Sequence, residues 1–333
     1  MMRAAKQLLS DRVRPFTIMF GAIFVLALID RGTGYFFSIG TIFSVMQLFA
    51  TVGLVALGLG LSMLVREFDL SVSGAVGLAG CIAVMTGAGN PWLGVLLGVS
   101  AGTVSGVLQG LIMTRLRLSS VGVTLGGLLT LQGITYVLTG NQTISYPNMA
   151  VALGLNAPIA HLLSVRSAAA LAIFVIATLI MTYTHIGRDV IATGSDSRAS
   201  RVAGLDTDRI IIGVFAASGA SAALAGVLLS YSLGAASPVA LADVLAPAAA
   251  AAIVGGVSVV GGRGSPMGIA AGVLTLCILR SGLSAIGVAP YVHDLVTGAI
   301  LLVIAILDAP ELAQRVVAWR LDRAERKQNA VAM

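Results

Sequence analysis

Four ionisable side chains, Asp69, Asp243, Arg280 and Asp294, fall within or against long apolar stretches. A charge in such surroundings needs a protein partner or an aqueous path. Asp69 follows Arg66-Glu67 and precedes Ser71, Ser73 and Gly74, a context that suits a helix N-terminus, where free amides and the helix dipole favour a carboxylate. Its other reading is a place along a polar path. Arg280 is expected to be neutralised by Asp294 or Asp243, and the sequence does not choose between them. Polar residues scattered through the apolar runs, Gln109, Thr124, Gln132, Thr135 and Ser230, suit hydrogen bonds between helices or the lining of a solute pathway. The candidate pathway set is Asp69, Ser71, Gln109, Thr124 and Gln132.

Covalent catalysis finds no constellation. A phosphate-binding loop needs the order G-x-x-x-x-G-K-[ST], and the only lysines, Lys6 and Lys327, lack that context. The glycine run from Gly255 to Gly264 therefore reads as close helix packing and a tight turn. His161, His185 and His293 stand apart, and neither H-E-x-x-H nor G-x-S-x-G occurs. Cys81 and Cys277 lie alone in apolar runs without a CxxC, as buried small hydrophobes do. No catalytic residue, no metal site and no cofactor bound by this chain is expected.

The elements that must hold these residues are membrane helices. Of 333 residues 57% are hydrophobic and 10% charged, with a mean hydropathy of +0.99, well beyond an ordinary soluble domain. Forty glycines fit helices that approach closely in lipid. The net charge of +6 comes without a basic patch interleaved with aromatics, which excludes a nucleic-acid partner. Apolar runs long enough to cross a bilayer fall at 15 to 31, 41 to 65, 70 to 88, 91 to 113, 121 to 138, 167 to 185, 209 to 232, 241 to 260, 266 to 287 and 292 to 308. The first ends in Asp30-Arg31-Gly32 rather than a small-residue cleavage site, so it reads as an uncleaved span.

The expected fold is thus all-α and polytopic, with about ten transmembrane helices in one domain over 15–308, a cytoplasmic N-terminal tail over 1–14 and a cytoplasmic C-terminal tail over 309–333. With the N-terminus inside, all of the 20 basic residues except Arg31, Arg166 and Arg280 fall on the cytoplasmic side, as the positive-inside rule requires. The longest outside segment, Thr139 to Arg166, reads as a lid or a connector. The longest inside segment, over 185–208, contains Asp196 as a helix N-cap and Gly204 as a left-handed stop, which predicts a helix of about two turns. A helix that short needs a surface to dock on.

The same segment carries a resemblance. Thr184, Gly187, Arg188, Val190, Ala192 and Gly194, then Ala199, Arg201 and Gly204, then Asp208-Arg209, resemble the T-x-x-G-R-x-V-x-A-x-G and A-x-R-x-x-G order of permeases of ribose-type ABC importers. Asp69-Leu70-Ser71-Val72 resembles that family's IDLSVG signature, Leu125-Gly126 with Gly133 its TLG segment, and Ile253-Val254-Gly255-Gly256 to Gly261-Gly262-Arg263-Gly264 its double-glycine run. The resemblance extends from about Gly53 to Asp308, with departures at Arg66-Glu67-Phe68 and at Ser73-Gly74.

The resemblance implies a permease subunit in the bacterial inner membrane that translocates a monosaccharide or related small polyol. A periplasmic binding protein would deliver the solute, a separate ABC ATPase carrying ATP and Mg would drive the cycle, and a second permease copy or paralogue would complete a dimer in the lipid bilayer. It further implies that Gly187, Arg188, Gly194, Asp196, Arg198, Ala199, Arg201 and Gly204 form the ATPase-coupling loop. An ion-coupled secondary transporter, or an ABC permease for a nucleoside or branched-chain amino acid, is the alternative.

Overall fold

The computed structural model describes residues 2–30, 36–240 and 242–307. The expected tail over 309–333 and the expected outside residue Arg31 lie outside the described residues. Thirteen α-helices account for most of what is described: α1 (Met2–Ile29), α2 (Ile39–Leu64), α3 (Val72–Thr86), α4 (Pro91–Leu116), α5 (Ser120–Thr139), α6 (Met149–Asn156), α7 (Val165–Tyr183), α8 (His185–Ser195), α9 (Ser197–Val202), α10 (Thr207–Leu233), α11 (Leu245–Val254), α12 (Pro266–Ala285) and α13 (Pro290–Leu307). Six of them, α2, α4, α5, α7, α10 and α12, are long and apolar enough to cross a membrane, and α1, α3, α11 and α13 carry shorter apolar stretches.

The boundaries follow local chemistry. Asn90 and Ser265 cap α4 and α12 through their side chains, each just before a proline at the first helical position, where a missing N–H costs nothing. Ser164 and Ser167 form a reciprocal capping box at the start of α7. Two expected spans are shortened. The run at 70 to 88 yields a 15-residue helix, and the run at 241 to 260 yields a short 3-10 turn, Ala242–Val244, followed by a 10-residue helix. At about 1.5 Å per residue these helices reach roughly 22 and 15 Å. Pro247 restricts the start of α11, and Gly256, at φ +81°, ends it.

Helix α10 is the centre, packing against α2, α3 and α4. Its closest neighbour is α4, whose Gly94, Gly98, Gly102, Gly106 and Gly110 recur every fourth residue and are all buried. Residues four apart share one helix face, so the run forms a groove into which the backbone of α10 fits. A Cβ on Gly102 would stand 2.6 Å from the Gly219 carbonyl, and a Cβ on Gly106 or Gly219 would collide with the backbone opposite. Phe49, Phe215 and Tyr231 are the bulkiest fully buried side chains, and Phe49 packs on Phe174 at 5.1 Å between ring centres.

At one end of the bundle the chain between α5 and α7 folds back as strand β1 (Ile144–Ser145), α6 and the hairpin of β2 (Pro158–Ile159) and β3 (Leu163–Ser164). Strand β1 pairs antiparallel with β4 (Ala235–Ala236), just after α10. Tyr146 stacks on Tyr231 at 4.5 Å and donates to the Gly87 carbonyl at 3.0 Å. These contacts fasten the start of the segment to α3 and α10.

Candidate functional site

The segment over 185–208 holds two short helices where a single one is expected. In α8, Gly187, Val190, Thr193 and Gly194 are buried, a spacing of three and four that defines one inward face. Gly187 abuts the Met181 carbonyl, and Gly194 abuts the Leu64 carbonyl, with no room for a Cβ at either contact. Arg188 turns outward, its Nη2 2.9 Å from His185 Nδ1.

Asp196 ends α8 and caps α9, accepting from the amides of Arg198 at 2.9 Å and Ala199 at 3.0 Å. The Ala199 and Arg198 amides hold its carboxyl below the usual aspartate range, and Arg66 and Arg198 add to this. Gly204, at φ +91°, stops the turn in the left-handed region, where glycine carries no Cβ penalty. Arg201 is tied back to the start of α10, with Nε donating to Thr207 at 2.6 Å and Nη2 meeting Asp208 at 2.9 Å. Within α9 only Ser200 is buried. Val202 is 92% exposed, and Ser197, Arg198, Ala199, Arg201 and Ala203 around it are exposed as well.

The α8–α9 pair meets two other loops. Arg66, between α2 and α3, donates from Nη2 to the Ser195 carbonyl at 2.6 Å, and Gly262 donates its amide to the Leu64 carbonyl at 2.9 Å. Arg66 holds φ +66°, a left-handed conformation that costs a residue with a side chain roughly 1–2 kcal/mol. A cavity of about 240 Å³ beside this junction is lined by Glu67, Arg117, Arg201 and Asp208 among others. Burial raises the Glu67 carboxyl above the usual range, and a hydrogen bond from Ser120 partly offsets this.

Three of the five candidate pathway residues come together just inside this end. Asp69 is 1% exposed. Its Oδ1 accepts from the Ser71 amide at 3.1 Å and hydroxyl at 2.6 Å; its Oδ2 accepts from Ser218 of α10 at 2.7 Å. Gln109 of α4 extends the network by donating from Nε2 to Ser71 Oγ at 2.9 Å. Its Oε1 has no protein partner and faces Gly127, where a Cβ would stand 2.6 Å away. Thr124 is buried and donates to the carbonyls of Phe68 and Ser120 at 3.0 and 2.8 Å, bracing the Asp69 loop without touching the carboxylate. Gln132 is half-buried on α5, outside the network.

Ser218 was not among the sequence candidates. Its signal is weak, a hydroxyl in the otherwise small and apolar run Ala216 to Ala220 of α10. The pairing expected for Arg280 is not present: Arg280, Asp243 and Asp294 are all exposed, and no ion pair joins Arg280 to either carboxylate among the described residues.

A second polar cluster sits at the opposite end. Arg166, 7% exposed, donates to Gln47 Oε1 from Nε at 3.0 Å and Nη2 at 2.7 Å, and to Ser232 from Nη1 at 2.7 Å. Asn156 of α6 joins them, accepting from Gln47 at 3.2 Å and donating to the Ser232 carbonyl at 2.8 Å. This buried guanidinium is held by neutral acceptors on α2 and α10 and anchors the folded-back segment. Among the described residues no group of three or more His, Cys, Asp or Glu could hold a metal ion.

A profile for the family described as Branched-chain amino acid transport system / permease component matches residues 41–305. The ribose import permease protein RbsC of Haemophilus influenzae is 28% identical over 86% of this chain and 90% of its own. The fructose import permease protein FrcC of Rhizobium meliloti is 29% identical over 86% and 83%. The autoinducer 2 import system permease protein LsrC of Yersinia pseudotuberculosis is 30% identical over 85% and 80%. No solved structure matches the chain at a significant level.

Proposed function

The chain belongs to the permease family described as Branched-chain amino acid transport system / permease component, and from that membership we propose that it is the membrane-spanning subunit of an ATP-driven importer for a monosaccharide or related small polyol. The relatives named for ribose, fructose and autoinducer 2 favour a sugar-like solute over a branched-chain amino acid. ATP and Mg belong to a partner ABC ATPase, a periplasmic binding protein delivers the solute, and a second permease copy or paralogue completes the dimer.

The observation that carries this reading is the α8–α9 pair. Its inward face is fixed by glycine contacts with the bundle, while Val202, Arg198 and Ala199 face out. An apolar side chain 92% exposed among arginines, on a two-helix element too short to stand alone, suits the groove of a partner protein. In this reading the arginine-bearing end is cytoplasmic in the bacterial inner membrane. About ten apolar segments cross or enter the bilayer, both termini lie inside, and the Arg166 end faces the periplasm. The solute passes beside α3, α4 and α5, where Asp69, Ser71, Gln109 and Thr124 brace the wall and Gln132 stands half-buried on α5.

Co-purification tests the reading. The native chain, extracted in mild detergent, is expected to bring an ABC ATPase with it. Gly187→Trp, which displaces α8 from Met181, and Arg201→Glu, which breaks the tie to Asp208, are expected to lose it while remaining monodisperse. An ATPase retained by both folded variants contradicts the assignment of the docking element.

A further inference from the structure

We propose, on the basis of the importer reading above, that Arg66 and Gly194 are positioning residues that join the α8–α9 pair to the Asp69 loop. Displacement of the pair by an ATPase then shifts the Asp69 carboxylate relative to Ser218 on α10. The joint has three parts. Gly194 packs directly on the Leu64 carbonyl, the same carbonyl accepts the Gly262 amide at 2.9 Å, and Arg66 Nη2 reaches back to the Ser195 carbonyl at 2.6 Å.

A basic residue whose only task is to face the cytoplasm needs neither a left-handed backbone nor a main-chain partner 129 residues away; Arg66 has both. Its turn is closed on the end of α2 by the Arg66 amide on Met63 and the Glu67 amide on Ser62, at 3.0 and 3.1 Å. Between Arg66 and Asp69 stand only Glu67 and Phe68, and Phe68 is held at its amide by Ser120 at 3.2 Å and at its carbonyl by Thr124 at 3.0 Å. Three residue steps of about 3.8 Å each separate Arg66 from Asp69, and the hydrogen bonds on both sides of Phe68 restrain how the link can bend. Movement of Ser195 is therefore passed to Asp69, whose Oδ2 is bound to another helix at 2.7 Å.

Hydrogen exchange on the chain co-purified with its ATPase, with Mg·ADP·vanadate as the trapping probe, tests the joint. In the native complex, trapping is expected to change exchange in 186–205 and in 65–73 together, each by about fivefold or more. In Arg66→Ala the change in 186–205 is expected to persist while that in 65–73 falls below about twofold. Arg66→Lys, which keeps a donor for the Ser195 carbonyl, is expected to restore most of it. Gly194→Ala, which wedges a methyl group against Leu64, is expected to uncouple the two segments with Arg66 intact. If 65–73 responds equally in native, Arg66→Ala and Gly194→Ala chains, or in none of them while 186–205 responds, the proposal is overturned. If no ATPase accompanies the native chain, the importer reading itself fails and the joint falls with it.

Discussion

Ser218 donates to the Asp69 carboxylate at 2.7 Å across 149 residues of sequence, and Gly58 of α2 makes the space for it, since a Cβ there would stand 2.8 Å from the Ser218 carbonyl. A buried carboxylate that loses a donor carries an unmet desolvation cost of about 1–3 kcal/mol. Ser218→Ala is therefore expected to lower thermal stability in detergent by about that amount. The buried thiols of Cys81 and Cys277 supply the readout through a thiol-reactive dye. Ser218→Thr, which keeps the hydroxyl, is expected to lose less. Equal stability of Ser218→Ala and the native chain would remove Asp69 from the set of structural anchors.

The α4–α10 crossing depends on backbone contact. Gly106→Leu places a side chain where the Phe215 carbonyl already lies, and overpacking at such a site costs about 1–3 kcal/mol or more. It is expected to abolish monodisperse protein on size exclusion. Gly126→Ala on α5, where nothing stands within 4 Å of the added Cβ, is expected to behave as native. Similar yields of the two variants would contradict the close crossing.

The sequence carried the apolar runs well, because a stretch of apolar residues is a local property. It carried the cap at Asp196 and the stop at Gly204 for the same reason. It did not show α8 as a helix: Gly187 and Gly194 weaken its local helix signal, and their use as contact points that let α8 lie on Met181 and Leu64 is a tertiary feature. The grouping of Asp69, Ser71, Gln109 and Ser218 was not legible, since it depends on which faces of α3, α4 and α10 meet. Arg166 did leave a trace: it is one of the few basic residues on the expected outer side, and an exception to a charge rule points to a residue held for another reason.

Arg166 is expected to govern the order of the folded-back segment. Arg166→Met leaves Gln47 and Ser232 short of partners in a buried site, a loss of the kind that costs about 1–3 kcal/mol per unmet group. Residues 144–164 are then expected to become sensitive to limited proteolysis in intact spheroplasts while the helices stay folded. Arg166→Lys, which cannot span Gln47 and Ser232 with a planar fork, is expected to fall between. Unchanged protection in Arg166→Met would show that β1, β4 and Tyr146 suffice to hold the segment.

Asp196 gives a pH dependence with a defined sign. Its carboxyl is held below the usual range by the Ala199 and Arg198 amides, so the cap's contribution is fully present above the ordinary aspartate pKa of about 3.9. It is lost as pH falls through the depressed native value. Exchange protection of the Arg198 and Ala199 amides is therefore expected to persist down to the ordinary aspartate range and to vanish only below it. In Asp196→Ala that protection is expected to be absent at every pH. Protection that already disappears near neutral pH would contradict the capping role.

The central claim is most directly tested by transport itself. The chain is reconstituted in liposomes with its co-purified ATPase, and uptake of radiolabelled ribose, fructose and leucine is measured with the cognate binding protein outside. Measurements are made with or without ATP on the ATPase side, and separately with an imposed proton or sodium gradient alone. The account predicts uptake of a sugar that requires ATP and the binding protein and is indifferent to the ion gradients. Solute movement driven by a proton or sodium gradient in liposomes holding this chain alone would contradict it.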